Sequence, residues 1–221
     1  MEVEATYFLI FDLDGTLIDS DSTVIKIINE IRIEESLEPV CEKDIRSFLS
    51  LGGTDLIRNT ITNSDSENMN EYFLNLLRKK YLNSKTIDIL YDNVSAALKR
   101  LTSDDFQLIL CTNKANYLAK KILKELEVDR YFKKIVADGD LTTRKPNINN
   151  FRACFETSNI ITKNCLIIGD SWVDLELAKN ADVSFCAFSN GQNEKFISEN
   201  KLDYFDNYSN LTSEFIMERL G

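Results

Sequence analysis

Residues 8–20 read FLIFDLDGTLIDS, and the fold turns on this stretch. Four apolar residues run directly into Asp12, Leu13, Asp14, Gly15 and Thr16. A short apolar run closed by turn residues has the pattern of a buried strand. Carboxylates at the end of such a strand are costly to desolvate. Two of them, one residue apart and followed by a glycine, mark the strand end as a place where negative charge is used.

Working outward, similar runs recur at 106–111 (FQLILC), 134–138 (KIVAD), 165–169 (CLIIG) and 183–188 (VSFCAF). They are nearly continuous rather than alternating, which predicts strands covered on both faces and therefore a parallel sheet. Helical spacing lies between them, with Val94, Leu98 and Leu101 in one segment and Leu118, Ile122, Leu123 and Leu126 in another. Alternating strands and helices predict a doubly wound α/β fold, whose ligands sit beyond the carboxyl ends of the strands. Residues from about 20 to 90 break the alternation. Val24, Ile27, Ile28 and Ile31 form one apolar face, and Met69, Phe73, Leu76 and Leu77 form another. NSDSEN (63–68) is a polar turn between them. No Pro/Gly-rich linker appears. The expected organisation is a core of residues 1–18 and 92–221, with a helical subdomain of residues 19–91 inserted after the first strand.

Composition excludes several classes of function. A net charge of −10 argues against nucleic acid or an anionic membrane as partner. It leaves room for a small anion held by a few local cations. The N-terminal apolar run is too short for a signal peptide or a membrane span. Five cysteines include no CxxC pair, and Cys111, Cys165 and Cys186 fall inside strand-like runs. Buried thiols in a reducing cytoplasm are the expectation. The chain has no histidine, which removes Ser-His-Asp triads, phosphohistidine chemistry and histidine metal sites. No glycines fit GxxxxGK or GxGxxG, and no cysteine is followed six residues later by arginine. Carboxylates, lysines, hydroxyls and any metal the carboxylates hold remain for chemistry.

Three strand-like runs end in polar residues of particular kinds. The first ends in Asp12 and Asp14, the second in Thr112, Asn113 and Lys114. The run at 165–169 leads into Gly169, Asp170 and Ser171, with Asp174 four residues beyond Asp170. Lys145-Pro146 precedes a helical pattern, where proline suits the first helical position. In a parallel sheet these ends converge on one edge. A lone DxD is an ordinary turn or cap and a lone KP carries little, but four pieces in this order describe a site.

With DLDGTLIDS, LILCTN, RKP and IIGDSWVDLELAKNAD in hand, the chain resembles the haloacid dehalogenase (HAD) superfamily, in the phosphoglycolate-phosphatase-like subgroup with a helical cap after the first motif. The resemblance spans essentially the whole chain, including ADGDLTTRKPNINNF and LDYFDNYSNL. It implies a Rossmann-like core with an α-helical cap, and a phosphatase working through an aspartyl-phosphate. Asp12 is then the nucleophile and Asp14 the general acid and base. The Thr112 hydroxyl, the Asn113 backbone N–H and the Lys145 ammonium bind the phosphoryl group. Crowded carboxylates at ~4 Å repel by roughly 4 kcal/mol per pair at an effective dielectric of ~20, so a divalent cation is expected. The hard oxygen donors favour Mg2+. The family pattern gives it the Asp12 carboxylate, the Asp14 carbonyl and the Asp170 carboxylate, with Asp174 orienting its waters. For Lys114 the resemblance implies no role, and solvated surface is expected. YDNVSAAL departs from the proline-glycine usual before the return helix, which implies a different hinge.

The expected function is Mg2+-dependent hydrolysis of a small phosphorylated metabolite by a cytoplasmic monomer or homodimer. In the cap, DIRSFLSLGGTDLIRNT (44–60) places Gly52 and Gly53 between Arg46 and Arg58. An arginine there could grip a carboxylate or a second phosphate with two hydrogen bonds, and Arg46 is preferred because it precedes the glycines. A sugar-phosphate mutase of the same fold is the enzymatic alternative. Against it stand the missing cap histidine and Thr16, where such mutases tend to carry valine. Asp14 argues against a dehalogenase. A phosphonate-cleaving enzyme needs a Schiff-base lysine in the cap, and neither Lys26 nor Lys43 has a recognisable setting. A non-catalytic module usually loses the nucleophile or a metal aspartate, and all are present here.

Overall fold

A computed structural model describes residues 5–49, 51, 53–84, 88–156 and 160–220. The chain starts with β1 (Phe8–Phe11) and β2 (Ile18–Asp19). It continues into α1 (Asp21–Glu34), α2 (Glu42–Leu49), α3 (Gly53–Ile57), a π-helical turn at Arg58–Thr62, and α4 (Glu67–Asn83). Next come β3 (Ile89–Leu90), α5 (Val94–Ser103), β4 (Gln107–Ala115), α6 (Asn116–Glu125) and β5 (Phe132–Asp138). The remainder is α7 (Ile148–Arg152), β6 (Cys165–Gly169), α8 (Trp172–Ala181), β7 (Ser184–Phe188), α9 (Glu194–Asn200), β8 (Tyr204–Phe205) and α10 (Ser213–Met217).

Six strands form one sheet in the order β5-β4-β1-β6-β7-β8, and every pairing in it is parallel. The expected doubly wound α/β architecture is what forms. Its reason is visible in β1, where Leu9, Ile10 and Phe11 are all buried; a strand covered on both faces has no solvent side to alternate with. Flanking helices supply the cover. The amphipathic faces read from the sequence bury Val94, Ala97, Leu98 and Leu101 on α5, and Leu118, Ala119, Ile122 and Leu123 on α6. Each large aliphatic side chain so buried contributes about 1.5–3 kcal/mol. β8 is the sixth strand, and its two residues carry too little pattern to be read from sequence.

Register positions the site. Phe11 lies opposite Leu110 of β4 and Ile168 of β6. One step on, the Asp12 N–H still donates to the Ile168 carbonyl at 2.9 Å. The ends of three adjacent strands therefore deliver Asp12, Thr112 and Asp170 to the same edge.

The chain divides into two compact units, Met1–Ile18 with Leu90–Gly221, and Asp19–Ile89. Between the sheet segments, β2 and β3 form a separate two-stranded sheet. The second unit is helical. α1 buries Ile25, Ile27, Ile28 and Ile31. On α4 the buried stripe is Asn70, Leu74, Leu77 and Tyr81, while Met69, placed on the apolar face by periodicity, is exposed. The stripe is rotated by one residue because Asn70 is buried as a polar member. It accepts from Thr62 Oγ1 at 2.5 Å and donates to the Ser64 carbonyl at 2.9 Å. Asp88 is also buried in this unit, accepting from Thr23 Oγ1 at 3.0 Å and from the Tyr81 hydroxyl.

Pro146 does not open a helix. The Lys145–Pro146 bond is cis, and Asn147 intervenes as the N-cap of α7, accepting from the Asn149 N–H at 2.9 Å. All five cysteines are free thiols; Cys111, Cys154, Cys165 and Cys186 are buried and Cys41 is exposed. Among the described residues no helix is long and apolar enough to cross a membrane.

Candidate active site

Asp12 leaves β1 at the centre of the sheet edge. Lys145, from the segment before α7, reaches it with Nζ 2.8 Å from Asp12 Oδ1 and donates to Asp174 Oδ1 at 2.6 Å. The side chains of Lys145 and Asp174 are 2% and 1% exposed, so this cation is buried against two carboxylates. Burial opposes the Lys145 charge, but attraction from Asp12 and Asp174 outweighs it and raises its pKa. On the other side of the balance, burial pushes Asp12 up to about 6, against the pull of Lys145 and with Asp174 and Asp14 adding repulsion. Burial also drives Asp170 well above the usual carboxylate range, with Asp174 and Asp12 reinforcing it. Negative charge is in excess here, and one lysine does not neutralise it.

One oxygen each from Asp12, Asp170 and Asp174 lie within 4.8 Å of one another. A divalent cation fits this set: the donors are hard carboxylate oxygens, close enough together to share one ion whose charge would offset their mutual repulsion. The three are not equivalent. Asp174 Oδ1 is taken by Lys145, and its Oδ2 accepts from the Ser171 N–H at 3.3 Å and the Ser171 hydroxyl at 2.8 Å. That reciprocal cap starts α8, and suits Asp174 to orienting what the other two hold. Asp170 accepts from Thr16 Oγ1 at 3.2 Å and from Asn190 Nδ2 at 3.3 Å, one bond per oxygen.

Two glycines make this crowding sterically possible. Gly15 has φ +74°, and a Cβ there would stand 2.3 Å from Asp170 Oδ2. A Cβ on Gly169 would lie 2.4 Å from the Asp174 Cγ. Each glycine thus opens the space that a neighbouring aspartate occupies.

On the β4 side, Thr112 is buried and its Oγ1 accepts from the Lys114 N–H at 3.2 Å. Asn113 uses its side chain as a splint. Its Nδ2 donates to the Lys145 carbonyl at 3.1 Å and its Oδ1 accepts from the Lys145 N–H at 2.9 Å. The two residues are far apart in sequence, and nothing local signals the pairing. Lys114 corrects an expectation. It is not solvated surface: its side chain is 8% exposed, and Nζ pairs with Asp14 Oδ1 at 2.6 Å.

Sequence reasoning also missed a supporting layer from the C-terminal third. Tyr208, fully buried, donates its hydroxyl to the Thr16 carbonyl at 2.8 Å. Asn190 and Asn193, in the loop after β7, bond to Gly15 and Asp170.

The residues proposed from sequence for substrate choice belong to the helical unit. Arg46 is on α2, where NH1 pairs with Asp21 Oδ2 at 2.6 Å and NH2 lies 3.7 Å from Glu42 Oε2. Arg58 pairs with Asp55 at 3.2 Å. Gly53 is the first residue of α3 with φ 53°, and Gly52 lies outside the described residues.

Comparison with known proteins identifies the family and the fold. A phosphoglycolate phosphatase of Rhodobacter capsulatus is 31% identical over 189 residues, covering 83% of this chain and 84% of the relative. The crystal structure of a predicted phosphoglycolate phosphatase from Haemophilus somnus superposes with a TM-score of 0.83 at 24% identity, over 93% of this chain and 96% of that one. A β-phosphoglucomutase from Clostridium difficile shares the fold with a TM-score of 0.78 at 18% identity, over 97% and 96% of the two chains. The family model for haloacid dehalogenase-like hydrolases matches residues 9–188, from the strand that carries Asp12 to the end of β7, and the chain belongs to that family.

Proposed function

We propose that the chain is a Mg2+-dependent phosphatase that hydrolyses a small phosphorylated metabolite through an aspartyl-phosphate on Asp12. The observation that carries this reading is the enclosure of Lys145 by Asp12 and Asp174, with Asp170 alongside. A carboxylate nucleophile needs such a cation beside it to approach an anionic phosphate.

In this reading an Asp12 oxygen attacks phosphorus, and the P–O bond to the leaving group breaks. Asp14 gives its proton to the departing alkoxide oxygen. Water then attacks the phosphoryl group on Asp12 while Asp14 takes its proton, and phosphate leaves with the Asp12 carboxylate restored. Thr112, the Asn113 N–H and Lys145 hold the phosphoryl oxygens, and Asn113 keeps Lys145 in place through two backbone bonds. Lys114 steadies the Asp14 carboxylate. Asp12, the Asp14 carbonyl and Asp170 would hold Mg2+, which would supply positive charge beside the phosphate dianion.

The test uses p-nitrophenyl phosphate and phosphoglycolate, the latter because of the relatives' names. Both are expected to be hydrolysed, phosphoglycolate with the higher kcat/KM, and excess chelator is expected to stop turnover that Mg2+ then restores. Full activity in chelator contradicts the mechanism.

We also propose that residues 19–91 act as a cap, with Arg46 gripping a carboxylate or second phosphate on the substrate. Its present partner, Asp21, is another anion, which fits a guanidinium that can exchange one carboxylate for another. Arg46→Ala is expected to raise KM for phosphoglycolate about tenfold, the cost of one charge-assisted hydrogen bond, and leave p-nitrophenyl phosphate hydrolysis nearly unchanged. An equal fall for both substrates assigns Arg46 to folding.

A further inference from the structure

The loop between β7 and α9 carries two asparagines whose amides are spent on the carboxylate site. Asn190 Nδ2 donates to the Gly15 carbonyl at 3.0 Å and to Asp170 Oδ2 at 3.3 Å. One amide nitrogen thus ties the turn after β1 to the aspartate after β6. Asn193 Nδ2 donates to the Asp170 carbonyl at 2.8 Å and to the Phe188 carbonyl at 2.8 Å. The two residues also brace each other, since Asn193 Oδ1 accepts from the Asn190 N–H at 3.3 Å. Asn190 Oδ1 in turn accepts from the Gln192 N–H at 3.0 Å.

The ordinary explanation of Asn193 is helix capping, because it stands at the N-cap of α9. An N-cap asparagine turns its oxygen onto the first N–H groups of its own helix. Asn193 makes no such bond; its oxygen turns back to Asn190 and its nitrogen to Asp170. Local helix stability is therefore not what its side chain serves. Thr16 holds Oδ1 of Asp170 and Asn190 holds Oδ2, so the carboxylate plane is fixed from both sides. Each oxygen keeps further lone pairs for a cation.

We propose that Asn190 and Asn193 are positioning residues for the metal: they fix the orientation of Asp170 and its spacing from the Asp12–Thr16 turn, and thereby set the affinity for Mg2+. This rests on the Mg2+ reading of the site. Neighbours that orient a metal ligand commonly change affinity by about 10- to 100-fold when removed. The same substitutions leave the phosphoryl-binding groups Thr112, Asn113 and Lys145 untouched.

The experiment is calorimetric titration of the whole protein with MgCl2, for wild type, Asn190→Ala and Asn193→Ala, with circular dichroism to verify folding. The expected result is a Mg2+ Kd raised about 10-fold or more in each variant, with kcat and KM for p-nitrophenyl phosphate recovered at saturating Mg2+. A purely structural role would lower kcat at every Mg2+ concentration, and that outcome overturns the proposal. Wild-type Mg2+ affinity in the folded variants overturns it as well. If one variant does not fold, the other decides. Wild-type protein that takes up no Mg2+ refutes instead the metal reading beneath it, so the two failures are distinguishable.

Discussion

Asp12→Asn is expected to abolish turnover while keeping the fold. The amide has the shape of the carboxylate but no nucleophilic oxygen, so the covalent route closes. A loss on the order of 10³-fold or more is expected, about 4 kcal/mol of barrier at 1.36 kcal/mol per factor of ten. Stability is not expected to suffer. Asp12 is one of three crowded carboxylates, and burial and repulsion already hold its pKa at about 6. Removing its charge relieves Asp170 and Asp174, and Lys145 retains its 2.6 Å bond to Asp174. The melting temperature in chelator should therefore match or exceed that of wild type. Near wild-type hydrolysis by this variant, or a phosphate trapped on another residue, would sink the assignment.

Lys145→Met separates the lysine's two contributions. Methionine fills similar volume and removes the charge. Catalysis should fall by about 10²- to 10³-fold, as when one fixed donor to a developing charge is lost. Stability should fall as well, because Asp12 and Asp174 lose the cation between them. Breaking a buried pair by removing one partner costs about 3–5 kcal/mol. Millimolar Mg2+ should return part of that stability, since a ligand that binds only the native state raises its melting temperature, yet it should not return the activity. Unchanged melting in chelator would show that Lys145 does not hold the carboxylates together. Restored turnover with Mg2+ alone would remove Lys145 from the phosphoryl site.

The strands that carry chemistry were readable because burial on both faces leaves an unbroken apolar run, and because a charge at the end of such a run is conspicuous. Asp12, Thr112, Asp170 and Asp174 could be placed on one edge from that pattern alone. What could not be read has one physical cause. A side-chain hydrogen bond across the fold leaves no periodic trace in either partner, so the Asn113 splint on Lys145, the Lys114–Asp14 pair and the Tyr208 hydroxyl on Thr16 were invisible. Asn70 shows the converse error. A satisfied polar residue on the buried face of α4 shifted the apparent stripe by one position and put exposed Met69 inside. β8 failed for a simpler reason, since two residues at a sheet edge make no pattern.

The sheet order also governs how the chain can assemble. β1 precedes both of its partners in the chain yet lies between them, with Phe8 opposite Gln107 on one side and Cys165 on the other. Neither partner exists when β1 leaves the ribosome, and the whole Asp19–Ile89 unit emerges first. Long-range parallel pairing is slow because loop closure must be met before any contact rewards it. A nascent chain therefore carries an apolar FLIF unpaired at least until β4 has been made, an exposure of the kind that recruits chaperones and seeds aggregation. The strand that leads into Asp12 is thus also the segment that waits longest for its neighbours.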